Sequence, residues 1–121
     1  MTLVVIDRGQ SLFIPHLFDG TNYAYWKVRM KVFLQALGEQ VWQAVKVGWI
    51  KPKEAPVDWD DATIIAANFN SRALNSLFCG VTNEEFKKIS STEVTKEAWT
   101  ILETFYEGTK GSKDYETLKT H

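Results

Sequence analysis

Between Tyr23 and Leu37 the large apolar residues recur at steps of three and four: Tyr23, Trp26, Met30, Phe33, Leu34 and Leu37. That spacing lays one aromatic-rich stripe along a helix, and a stripe of this kind has to bury itself against other elements. Thr21 or Asn22 is placed to cap the helix and Gly38 to end it. Lys27, Arg29 and Lys31 fall on the outward face, where solvated charge is the ordinary outcome. A second stripe of Ala62, Ile65, Ala66, Phe69, Ala73 and Leu77 follows Asp58, Asp60 and Asp61, whose charge suits the positive end of a helix dipole. A third stripe, Ala98, Trp99, Leu102, Phe105 and Tyr106, starts near Thr95 and stops at Gly108.

Shorter segments connect these helices. Glu39 to Lys46 reads as a helix with Val41, Trp42 and Val45 inward, although its β-branched content also suits a strand. Gly48, Pro52 and Pro56 make Val47 to Val57 a long loop, with Trp49 as its anchor. Thr82 and Glu85 match a capping box and start a short helix ending near Ile89. Ser112 caps a last run through Tyr115 and Leu118, which stops in mid-pattern at His121, so the natural polypeptide is expected to continue. The first residues, Met1 to Gly20, begin β-branched and carry Phe13, Ile14, Leu17 and Phe18. They read as an extended arm that packs down, with no hairpin signal. The expected fold is all-α: a compact bundle of five to six helices over residues 21–121, with an extended N-terminal arm over residues 1–20.

A chain of 121 residues supports one core. Apolar residues are 45% and charged residues 24%, the balance of a globular domain, and five Trp, four Tyr and seven Phe supply much of the buried area. Lys and Arg number 14 against 15 Asp and Glu, so the chain lacks the basic excess that polyanion binding needs. Cys79 is the only thiol, which excludes an intramolecular disulfide and a Cys-rich zinc site. The early apolar run Leu3 to Ile6 is cut by Asp7 and Arg8, too soon for a signal peptide or a membrane span. A cytoplasmic protein without a membrane partner is expected.

Little in the chain points to catalysis. Cys79, beside Leu77 and Phe78, reads as a buried inert thiol; His16 reads as packing, and His121 is terminal. Asp19, Gly20 and Thr21 hold the residues of an aspartic-protease signature in the wrong order. Gly108 to Lys113 lacks the spacer and the Gly-Lys-Ser/Thr ending of a phosphate loop and follows a helix rather than a strand. The aspartates at 58, 60 and 61 read as a solvated helix start rather than a Mg²⁺ site. No enzyme, cofactor or metal is expected.

The string Phe18-Asp19-Gly20-Thr21-Asn22-Tyr23, followed by Trp26, Arg29-Met30 and Phe33-Leu34, resembles the opening motif of Gag polyproteins from plant copia-type LTR retrotransposons. The resemblance continues through Trp59 and Ala62, Asn70, Ala73-Leu74-Asn75, Glu85-Phe86 and Ile89. It closes with Ala98-Trp99, Leu102-Glu103 and Glu107-Gly108-Thr109, and covers most of the chain from Pro15 onward. It implies a capsid-like helical domain, similar to a capsid N-terminal domain, whose work is protein-protein self-assembly into a particle around the element's RNA. In such polyproteins RNA is held by a downstream Cys/His knuckle, which this chain lacks.

Residue roles follow as expectations. Phe18, Tyr23, Trp26, Met30, Trp99 and Leu102 are the family-motif core, and Trp26→Ala or Trp99→Ala should cost about 3–5 kcal/mol. Lys27, Lys31, Trp49 and Lys51 are the candidate contact residues on the first helix and the loop. The expected partner is a second copy of the chain. The alternative is a host-adopted adaptor taking a partner peptide in a groove between arm and bundle, with Phe13, Ile14, Leu17 and Phe18 occupying that groove in cis.

Overall fold

The structure, a computed structural model, describes residues 17–108 in full, together with the backbone of two strands, β1 (Thr2–Val5) and β2 (Ser11–Ile14). Five helices follow: α1 (Tyr23–Leu37), α2 (Glu39–Lys46), α3 (Asp61–Cys79), α4 (Asn83–Ile89) and α5 (Thr95–Glu107). The all-α bundle is thus what the periodicity builds. His16, His121 and the run after Ser112 lie outside the described residues.

The N-terminal arm departs from a single extended segment. β1 and β2 pair antiparallel, with Thr2 opposite Ile14 and Val5 opposite Ser11. Extended backbone needs partners for its amides and carbonyls, and a second strand supplies them where a lone arm would leave them to water.

The arm enters the bundle through backbone bonds on both sides of Phe18. Its amide donates to Gly80 O at 3.0 Å, and its carbonyl accepts from the Thr82 amide at 3.0 Å. The ring then packs among Trp26 at 5.0 Å, Tyr23 at 5.4 Å and Tyr106 at 4.8 Å between centroids. Asp19 Oδ1 accepts from the amide and hydroxyl of Thr21 and closes the turn before α1. Asn22, at the cap position, takes a left-handed backbone with φ 54° and makes no side-chain cap bond.

Gly38 ends α1 and begins α2 within one residue. Its φ of 152° is one that side-chain-bearing residues rarely adopt, so the reversal requires glycine there. α3 packs on α2 and α5, while α4 packs on α5. The core joins Phe18, Tyr23, Trp26, Met30 and Leu34 to Val41, Trp42, Val45, Ala73, Leu77, Val81, Ile89, Ala98, Trp99 and Leu102.

Several inward expectations fail for definite reasons. Ile65 is 53% exposed, because α3 buries Asn70, Ala73 and Leu77 while its first turns lie clear of the core. Phe105 is 62% exposed: the stripe Ala98, Trp99, Leu102 continues to Tyr106, leaving Phe105 outside with Lys88 Nζ at 4.1 Å from its ring centroid. Cys79 is exposed at the end of α3, its thiol 3.7 Å from Asn75 Oδ1. The capping box does not form. Thr82 stands at the cap without a side-chain bond, and Glu85 turns inward, where its carboxylate accepts from Tyr106 Oη at 2.5 Å and from Lys88 Nζ at 2.9 Å. A carboxylate buried to 4% exposure is better satisfied by these two donors than by one backbone amide. Burial and the Glu85 carboxylate together raise the Tyr106 hydroxyl above the ordinary tyrosine range.

Candidate interaction surface

α1, α2 and α5 enclose a cleft of about 460 Å³ whose floor is aromatic and whose rim is basic. Trp42 and Trp99 meet edge to face, with centroids 5.5 Å apart, and Trp99 stacks in turn on Trp26 at 6.0 Å. The step of four that aligns Trp99 with Glu103 and Glu107 on α5 also turns both carboxylates toward α1. Lys27 Nζ donates to Glu103 Oε2 at 2.7 Å and to Glu107 Oε1 at 3.3 Å. Desolvation works against the Lys27 charge, but the bonds and fields of the two glutamates outweigh it and raise its pKa above the ordinary lysine range. Burial, with Glu107 and Glu103 adding to it, likewise pushes the Tyr23 hydroxyl far upward.

Lys27 is therefore half-buried and ion-paired, where a solvated side chain was expected. Lys31 is exposed, its Nζ 5.5 Å from the centre of the Trp42 ring. Lys46 and Lys96 complete the basic rim. Among the described residues, none of Lys31, Lys46 and Lys96 has a carboxylate partner. Lys96 leans over Gly48, and its Nζ lies 3.4 Å from Val47 O.

Lys96 and Thr100 also line the next hollow, a groove of about 940 Å³ between the loop after α2 and the start of α5. Val47, Trp49, Ile50 and Ile101 form its apolar part; Ile50 is 92% exposed and Val47 66%. Trp49 is half-buried, its ring 6.1 Å from that of Trp59, whose Nε1 donates to Glu54 O at 3.0 Å. Lys51 is exposed and pairs with Glu93 at 2.5 Å. The four contact residues named from sequence thus line two adjoining hollows, Lys27 and Lys31 in one and Trp49 and Lys51 in the other. Sequence reasoning missed Trp42 as a floor and Lys46 and Lys96 as rim. The basic last turn of α2 was the one signal for Lys46, whereas Lys96 comes into place only through the packing of α5 on α2.

The residues named as the motif core sit together beneath this surface: Phe18, Tyr23, Trp26, Met30, Trp99 and Leu102 are all buried. A smaller cleft of about 330 Å³ lies where the arm meets α1, lined in part by Leu17, Asp19, Tyr25 and Arg29. The side chains of Phe13 and Ile14 lie outside the described residues. Asp60 caps α3, its Oδ1 accepting from the Thr63 amide at 2.8 Å, and hydrogen bonding to Thr63 lowers the pKa of that carboxyl. Among the described residues, no helix is long and apolar enough to cross a membrane.

No curated protein and no solved structure matches the chain. A family described as a domain of unknown function, DUF4219, matches residues 18–46, the segment from Phe18 through all of α1 and α2.

Proposed function

We propose that this chain is a non-enzymatic, Gag capsid-type domain of a plant copia-type retrotransposon-like element, acting in the cytoplasm by self-association. The observation that carries the reading is the position of the family match. Residues 18–46 contain the Phe18-to-Tyr23 string, Trp26, Arg29-Met30 and Phe33-Leu34, and the matching domain is one found in plant retrotransposon Gag-like proteins. The same segment supplies one wall of the basic cleft, through Lys27, Lys31, Trp42 and Lys46. An aromatic floor rimmed by Lys31, Lys46 and Lys96, none of them ion-paired among the described residues, suits docking of a protein surface better than turnover of a substrate. Light scattering coupled to size exclusion tests the reading. A mass that climbs above the 13.9 kDa monomer as concentration rises supports it, and a constant monomer mass up to the solubility limit overturns it.

The cleft at the end of the arm favours a second reading, a host-adopted Gag-derived adaptor that takes a partner peptide between arm and bundle. Deleting residues 1–12 should then tighten binding of a labelled hydrophobic peptide; unchanged binding counts against it.

A further inference from the structure

We propose that the basic cleft and its adjoining apolar groove receive one particular edge of a second copy of this chain: the turn Pro56–Asp58 and the first two turns of α3. This rests on the self-association reading and names the two surfaces it would use. The edge carries Asp58 and Asp61, both exposed, beside Val57, which is 88% exposed, and the outward-facing Ile64 and Ile65. The receiving surface has the opposite charge and the same mixed character, with Lys31, Lys46 and Lys96 beside Val28, Val47 and Ile50. The two sets share no residue, and among the described residues no ion pair joins them. Their charge complementarity is therefore unused among the described residues of one chain.

A contact between two different patches is head-to-tail. It leaves one free furrow and one free edge on every dimer, so growth continues into rings or open filaments rather than stopping at a pair. Opposite charge sets the register and hastens encounter, and the exposed valines and isoleucines supply the area removed from water.

The test uses two variants of the full chain, Lys31→Glu with Lys46→Glu in the furrow and Asp58→Lys with Asp61→Lys on the edge. Each should stay at monomer mass at concentrations where the parent has at least doubled its mass. An equimolar mixture should recover growth, because an intact edge then meets an intact furrow and a reversed edge meets a reversed furrow. Thermal melts check that both variants fold, and Lys46→Glu alone, at an exposed position, should weaken association in the same direction. If both variants grow as the parent does, the furrow-and-edge contact is wrong while self-association stands. If the parent itself stays monomeric, self-association fails and this contact with it. If a labelled single-stranded RNA oligonucleotide binds the parent, loses binding in the furrow variant and leaves mass growth unaltered, the furrow belongs to RNA and the proposal is overturned.

Discussion

The indole Nε1 of Trp26 donates to the carbonyl oxygen of Gly80 at 3.1 Å, joining α1 to the turn after α3 across 54 positions of sequence. The same oxygen accepts the Phe18 amide, so one carbonyl ties the arm, the first helix and the end of the third together. Replacing Trp26 by Phe keeps a ring against Phe18 but removes the donor and part of the volume, and should cost about 1–2 kcal/mol. Trp26→Ala should cost about 3–5 kcal/mol, and Trp99→Ala a similar amount. Chemical denaturation of the three variants checks the order; equal midpoints for Trp26→Phe and Trp26→Ala would contradict it.

Gly80 is required by proximity. Its φ is an ordinary −92°, but a Cβ there would lie 2.3 Å from Met30 Cε and 3.1 Å from Ser76 O. Met30 is fully buried and has little room to retreat. Gly80→Ala should destabilise by about 1–3 kcal/mol. Combined with Met30→Ala, the total should fall below the sum of the two single changes, because truncating Met30 empties the space the new methyl needs. Additive losses in a double-mutant cycle would refute the steric account.

Asn70 is the polar pin between α3 and α5. Its Nδ2 donates to Glu93 O at 2.7 Å, its Oδ1 accepts from the Thr95 amide at 2.8 Å, and its own carbonyl accepts from Thr95 Oγ1 at 2.8 Å. Asn70→Ala orphans the buried Thr95 amide at the start of α5 and should cost about 2–3 kcal/mol. Amide exchange in the first turn of α5 should quicken more than in α1; uniform change across both helices would argue against a local pin.

Tyr23 predicts a gain. Its hydroxyl is buried and has no hydrogen-bond partner among the described residues, while its ring stacks on Tyr106 at 5.5 Å. Tyr23→Phe keeps the ring and removes the unsatisfied group, and should raise stability by about 1 kcal/mol. A loss of stability on this change would show that the hydroxyl is satisfied after all.

Tyr23 and Lys27 both hold their protons beyond the ordinary values of 10.0 and 10.5. The unfolded chain releases those protons first as pH rises, so above about pH 10 it binds fewer than the native state and stability falls. At neutral pH both groups keep their protons in either state, and this contribution is flat. Melting temperature should therefore drop through the alkaline range, less steeply in Tyr23→Phe. Parallel curves for parent and variant would remove Tyr23 from the account.

Much of the helical layout was legible because it rests on spacing. The limits of α2, Glu39 to Lys46, lie between a glycine and a Pro- and Gly-rich loop, and the stripes of α1 and α5 needed only their period. What spacing cannot carry is competition between partners. Thr82 and Glu85 have the letters of a capping box, yet Glu85 finds Lys88 one turn along its own helix and Tyr106, which only the packing of α5 on α4 brings beside it. Ile65 keeps the period of α3 but lies in the part of the helix that no described element covers, and Asn70, buried on the same helix, follows no apolar rule. Antiparallel pairing of Thr2–Val5 with Ser11–Ile14 depends on a partner strand that an apolar run does not announce. The surface shows the same limit: Lys31 and Trp49 can be chosen from sequence, but Lys96 joins both hollows only once α5 is packed.

The most direct measurement of self-association is a dilution series of the ¹⁵N-labelled chain followed through its amide resonances. Amides around Lys31, Lys46 and Thr100, and separately those from Val57 to Ile65, should shift or broaden progressively as concentration rises, while Leu77 and Leu102 in the core hold still. Spectra that superimpose at every concentration would contradict the account.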